Sequence, residues 1–405
     1  MNPGLRWYLT GTALFLVPGG IQMVLYPWLV AVFLHESPER VGLAQTAGQL
    51  PMLLLILWGG LIGDRVDQRQ LLIRLQFAMI APPLIMAMLV VADLIVYEVL
   101  LGWAFVGGCF AAFAQPARDA LLNRVAGHEI QRVVTLTIGV QFGVQILGFG
   151  IGSSADQLGP AVLMSAQAVC LLAAALATRR IPKLPKAAVR PRGHPLREIG
   201  EGLSVAWRSE AIRPALVLTF SIGVFFVGTF MVILPLMVRD LYLGSAGGIA
   251  LVFGTNMAGT CTTIFWLMRR GGLERPGRGL LLGNICSIAI LSLLHFELPL
   301  WGFYLVVYLW GLCGGISMTM SRAIVQEASP ASHRARLMSV YSLGMAGGTP
   351  IGSIGLGWCV GQFGTRGAVL VPVLGMACVQ VLLLTRSKLW NVRRLLAAEE
   401  SGSDA

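Results

Sequence analysis

A small set of polar and aromatic side chains stands inside stretches that are otherwise apolar. They are Gln22, Tyr26, Gln45, Gln49, Gln141, Gln145, Asn256, Tyr304, Tyr308 and Trp310. Gln22 and Tyr26, Gln45 and Gln49, and Gln141 and Gln145 are pairs spaced four apart, which places both members on one helix face. A hydrogen-bonding group is costly against hydrocarbon, so such faces turn toward the protein interior or a cavity. Carboxamides, phenols and an indole offer reversible chemistry: they donate, accept and stack. That suits holding a small molecule, and hydrogen bonding between helices is their other use.

Covalent chemistry has no support. The chain has no HExxH, no Walker loop and no Ser/His/Asp grouping, so an enzyme is not expected. The seven cysteines fall singly in apolar stretches with no CxxC, which argues for small buried hydrophobes and against metal or disulfide roles. No cofactor is implied. No carboxylate lies in the middle of an apolar stretch. If a proton is carried, Glu98, Glu297 and Asp64 are the candidates to carry it.

The elements that must position these residues follow from composition. Apolar residues make up 56% of the chain and charged residues only 12%, against about 25% charged in a soluble domain. A net charge of +11 is spread in short runs between apolar stretches, which excludes a nucleic-acid patch. A membrane span needs about 20 apolar residues. Such runs cover 8–34, 41–63, 71–92, 95–117, 134–155 and 160–178, then 214–238, 246–268, 279–295, 299–321, 337–361 and 365–385. The first is too long for the apolar region of a signal peptide and reads as a span.

Twelve spans place 27 of the 30 Lys and Arg residues on the side of both termini, with Arg40, Arg239 and Arg366 opposite. The positive-inside rule makes that side cytoplasmic. The expected fold is all-α, with an N-terminal six-helix bundle over 1–178 and a C-terminal one over 214–386. Between them lies a cytoplasmic linker, 179–213, and after them a cytoplasmic tail, 387–405. Apolar residues from Leu196 to Trp207 alternate with charges, which predicts an amphipathic helix at the membrane surface.

The halves echo each other at an offset of 204: Arg118 with Arg322, Arg132 with Arg336, Gly143 with Gly347, and Gly148 with Gly352. Duplicated bundles of this kind place a substrate site near mid-membrane and alternate its access by rocking. Glycines cluster in the fifth and eleventh spans, where small residues let helices pack closely.

The run Gly60-Leu-Ile-Gly-Asp64-Arg65-Val-Asp67-Gln-Arg69 follows the second span. It resembles the loop signature G-x-x-x-D-R-x-G-R-K of the major facilitator superfamily, matching at Gly60, Asp64, Arg65 and Arg69. Asp67 stands where that signature has Gly, which puts the usual turn in question. The stretches Phe113–Leu122 and Arg334–Tyr341 are similar to the branch that includes the enterobactin exporter and the macrolide efflux proteins. Gly348-Thr-Pro350-Ile-Gly352 looks like part of an exporter-type glycine–proline motif.

The resemblance implies a two-bundle carrier of the inner membrane, acting as a monomer on a small amphipathic molecule of the drug or siderophore class. It implies efflux by antiport with protons. Gly60, Asp64, Arg65, Arg69, Arg118, Arg336 and Pro350 are the expected gating residues. An uncoupled carrier of a lipid or metabolite with the same fold is the alternative.

Overall fold

The computed structural model describes residues 3–126, 130–182, 195–242, 244–330 and 333–392; for 3, 56–65, part of 130–138, 195–199 and 335 it describes the backbone alone. Among these residues the chain forms twelve long helical segments. The first six are α1 (Gly4–Phe33), α2 (Pro38–Arg65), α3 (Gln68–Val91), α4 (Tyr97–Ala126), α5 (Ile130–Gly152) and α6 (Pro160–Arg179). The second six are α7 (Ile212–Leu241), α8 (Ala246–Arg270), α9 (Pro276–His295), α10 (Leu300–Glu327), α11 (Arg334–Ala368) and α12 (Leu370–Arg386). Eight of them are individually long and apolar enough to cross a membrane, and α11 with α12 forms a further pair bent by 86°. Helices satisfy their own backbone polar groups, which is why apolar runs of this length take this form in lipid.

The local signals are physical. Pro160 and Pro276 open α6 and α9, where a missing N–H costs nothing. Gly159, at φ 81°, makes the sharp turn into α6. Asp67 caps α3, its carboxylate accepting the Gln70 N–H at 3.1 Å.

Three helices run well past the limits expected from hydropathy. α4 continues to Ala126 rather than ending at 117, α10 to Glu327 rather than 321, and α11 to Ala368 rather than 361. Charges end an apolar window but not a helix. Beyond 117, α4 buries Arg118 and Leu121, and Arg124 donates to Gln68 Oε1 at 2.6 Å.

The chain divides into two compact units. One comprises residues 1–192 with 231–254, the other 193–230 with 255–405. In the first unit, segment 231–254 is tied in by polar contacts. Asp156 accepts from the Ala246 N–H at 2.7 Å and from the Trp28 indole at 3.0 Å, and Arg239 donates to the Glu36 carbonyl at 2.7 Å.

Each unit uses the same close helix pairs. A Cβ on Gly148 of α5 would lie 2.6 Å from Gly20 Cα of α1; one on Gly352 of α11 would lie 1.9 Å from the Val224 carbonyl oxygen of α7. Likewise, a Cβ on Gly108 of α4 would lie 2.2 Å from the Gly48 oxygen of α2, and one on Gly259 of α8 the same distance from the Tyr308 oxygen of α10. No side chain fits at these contacts, so glycine sets the helix spacing.

In the second unit the helix expected in the linker is present at Pro195–Arg208. Ala206 is buried, and a Cβ on Gly202 would touch Arg336 and Val340 of α11, while Leu203 and Trp207 are exposed. Glu210 pairs with Lys388 at 2.9 Å, and that ammonium holds the Glu210 carboxyl below its usual range.

Candidate functional site

The first unit holds a cavity of about 480 Å³. α1 contributes Phe15, Gln22, Met23 and Tyr26; α2 contributes Gln45 and Gln49. α4 supplies Trp103, Phe110, Gln115 and Arg118, α5 supplies Gln141, and α6 supplies Gln167. Gly107 and Gly108 of α4 leave room between these side chains, and Met79, Pro82 and Pro83 of α3 complete an apolar wall.

Hydrogen bonding fixes some of these groups and leaves others open. Gln167 is buried and donates to Gln22 Oε1 at 3.3 Å, which orients that amide. The Tyr26 hydroxyl donates to the Ala44 carbonyl at 3.1 Å, and its ring meets Trp103 edge-on, with centroids 6.1 Å apart. The amides of Gln45, Gln49, Gln115 and Gln141 make no hydrogen bond among the described residues and remain available at the wall. Among the described residues no Asp or Glu lines the cavity.

Of the residues marked by their spacing, Gln22, Tyr26, Gln45, Gln49 and Gln141 line this cavity. Gln145 is not on the wall; its amide donates to Met23 Sδ at 2.9 Å. Three polar members were not picked out as cavity residues. Gln167 lacks a polar partner four residues away on its helix, and Gln115 and Arg118 stand at the edge of an apolar window.

In the second unit the marked residues are engaged with neighbouring helices. Asn256 donates to the Val307 carbonyl at 3.3 Å, Tyr308 to Thr262 Oγ1 at 3.2 Å, and Trp310 stacks edge-on against Phe226 at 5.8 Å. Tyr304 lies beside Phe303, with centroids 5.6 Å apart.

The profile of the transmembrane secretion effector family of major facilitators matches residues 10–401. The chain belongs to this family. It is a multi-pass membrane transporter of the major facilitator type, and no curated protein matches its sequence. Its fold is similar to that of the nucleoside transporter NupG, with TM-score 0.76 at 13% identity, covering 95% of this chain and 99% of that one. A bacterial homologue of the human lysosomal transporter Spinster, inward-facing and occupied, gives 0.75 at 11% identity, over 94% and 95%. The Escherichia coli fucose:proton symporter FucP gives 0.60 at 15%, over 95% and 98%. Identities this low speak to the fold alone.

The family signature can now be followed in this transporter. Gly60, Asp64 and Arg65 fall in α2, and their side chains lie outside the described residues. Arg69 donates through Nε to the Ile181 carbonyl at 2.7 Å and through a terminal nitrogen to the Arg179 carbonyl, closing the open end of α6. Asp67 replaces the signature glycine with a cap, and its φ of −67° needs no glycine. Arg336 pairs with Glu201 at 2.8 Å, holding the amphipathic helix to α11. Pro350 sits on α11 between Gly348 and Gly352, both of which pack closely on α7.

Glu98 is exposed in the first turn of α4, and Glu297 is exposed before α10, where it pairs with Arg366. Neither lines the cavity.

Proposed function

We propose that this transporter exports a small amphipathic organic molecule of the drug or siderophore class by alternating access, as in the branch of the enterobactin and macrolide exporters. The observation that carries the reading is the cavity: about 480 Å³, walled by aromatic and apolar side chains, with open carboxamides. Such a site suits a ligand of mixed character, because apolar area supplies affinity and a few polar groups fix orientation. In this reading both termini and the linker are cytoplasmic, as the charge asymmetry requires. The chain acts as a monomer in the inner membrane, with residues 1–178 and 214–386 as its rocking halves.

Coupling to protons is the primary form of the proposal, carried by Glu98, Glu297 or Asp64 away from the cavity. The lack of a carboxylate on the cavity wall favours a second form, an uncoupled carrier of a lipid or metabolite. Export from expressing cells, measured with and without an uncoupler, separates the two. Coupled export predicts that accumulation of a fluorescent drug falls on expression and recovers when the proton gradient collapses. Export indifferent to the uncoupler selects the second form, and equal accumulation in expressing and empty cells across a broad panel removes the export reading.

A further inference from the structure

Arg118 is 9% exposed, lies on the cavity wall, and its guanidinium donates no hydrogen bond among the described residues. Its recorded partner is the face of the Phe15 ring, 5.8 Å from the guanidinium carbon. The Tyr8 hydroxyl donates to its backbone carbonyl at 3.2 Å and not to its side chain. Asp119 follows in sequence and lies within reach of the Arg118 charge, but the two form no ion pair among the described residues and Asp119 is not on the wall. A buried charge is normally paired, because water has been lost and nothing has replaced it. A ring face covers one side of the guanidinium. The N–H donors in its plane remain, and their fork matches two oxygens of a carboxylate or phosphate.

The position along the helix adds the rest. Arg118 and Gln115 lie at one end of the cavity; Trp103 and Tyr26 lie toward the other. Trp103 and Arg118 are 15 residues apart on α4, roughly 22 Å along a helix axis. The wall therefore carries its one charge, beside Phe15 and Gln115, at one end and the Trp103–Tyr26 ring pair toward the other.

We infer that Arg118 is an anion-binding residue of the substrate site, and that the substrate is an amphiphile with one anionic group, a carboxylate or a phosphate. Its anionic end lies at Arg118 and its apolar body runs toward Trp103. The inference rests on the reading of this cavity as the substrate site.

The test is calorimetric titration of the full chain in phosphatidylcholine nanodiscs, with empty discs subtracted. The probes share a 2-naphthyl body and differ in head group: carboxylate, phosphate, carboxamide and trimethylammonium. The wild type is expected to bind the two anions at least ~10-fold more tightly than the carboxamide or the cation. The ratio of the two anions tells carboxylate from phosphate. Arg118→Gln should abolish the preference by bringing the anions down to the affinity of the carboxamide, and Arg118→Lys should keep part of it. Carboxamide binding equal to anion binding in the wild type overturns the anion site and leaves the cavity reading intact. A preference that survives in Arg118→Gln does the same. If no probe binds at all, the cavity reading falls and takes this inference with it. The wild-type comparison stands even if a variant fails to fold.

Discussion

The two halves of the chain share their close helix contacts and differ in how they use polar groups. α2 and α4 leave the amides of Gln45, Gln49 and Gln115 open on a cavity. In the related pair, α8 and α10, Asn256, Thr260 and Thr263 donate to the Val307, Gly311 and Leu312 carbonyls at 3.3, 3.0 and 2.8 Å. The duplicated arginines divide the same way: Arg118 is buried on the cavity wall and Arg322 is exposed. The glycine contacts are constrained in both halves because they set backbone spacing. The polar residues carry no such constraint, so one half can present them to a ligand while the other uses them within its own seam.

The shared part breaks most severely. Gly148→Val and Gly352→Val each place a branched side chain where even a Cβ overlaps backbone. Each should cost about 3 kcal/mol or more, seen as loss of the monodisperse peak in fluorescence-detected size exclusion. Gly143→Ala faces open space and should keep the wild-type profile. A normal peak for Gly352→Val would show that the second half does not depend on the contact its partner residue makes in the first.

The arginine pair tests the divergent part. Arg118→Gln should weaken binding of 2-naphthoate at least ~10-fold, and Arg322→Gln should leave it within about twofold. Equal effects would mean that the two positions still act alike.

A smaller contrast separates ligand contact from seam. Gln22→Ala removes an amide held toward the cavity by Gln167 and should raise the dissociation constant about 3- to 10-fold, with a loss of about 1 kcal/mol in stability because buried Gln167 loses its acceptor. Asn256→Ala removes a bond between α8 and α10 and should lower stability by about 1 kcal/mol with affinity intact. Thermal melts and titrations on the same samples check both. A stability loss in Gln22→Ala without an affinity change would move that residue into the seam class.

The helices were legible in the sequence because lipid leaves a chain few options, and apolar length is a direct signal. Gln22, Gln45, Gln49 and Gln141 were legible for a related reason, since an amide in an apolar helix must turn inward. Gln145 shows the limit. It obeys the same spacing, yet it meets the Met23 sulfur on α1 instead of the cavity, and only the packing of α5 on α1 decides that. Arg118 was hidden for the opposite reason. Hydropathy ends the fourth span at 117, whereas the helix runs on to Ala126 and carries the arginine into the interior.

The smallest expected effect concerns the residue that departs from the family signature. Asp67 stands where the signature has glycine, and its carboxylate caps α3 by accepting from the Gln70 N–H. Its backbone angle lies in the region open to every residue, so glycine would relieve no strain there. Restoring the signature with Asp67→Gly therefore loses the side-chain cap but exposes the α3 N-terminus to water, and should cost only a few tenths of a kcal/mol. Asp67→Ala, which hinders that hydration, should cost about 1 kcal/mol. Thermal midpoints should order wild type, Gly, then Ala. A stabilised Asp67→Gly variant would show instead that the turn favours the signature residue, and that the cap compensates for an unfavourable loop.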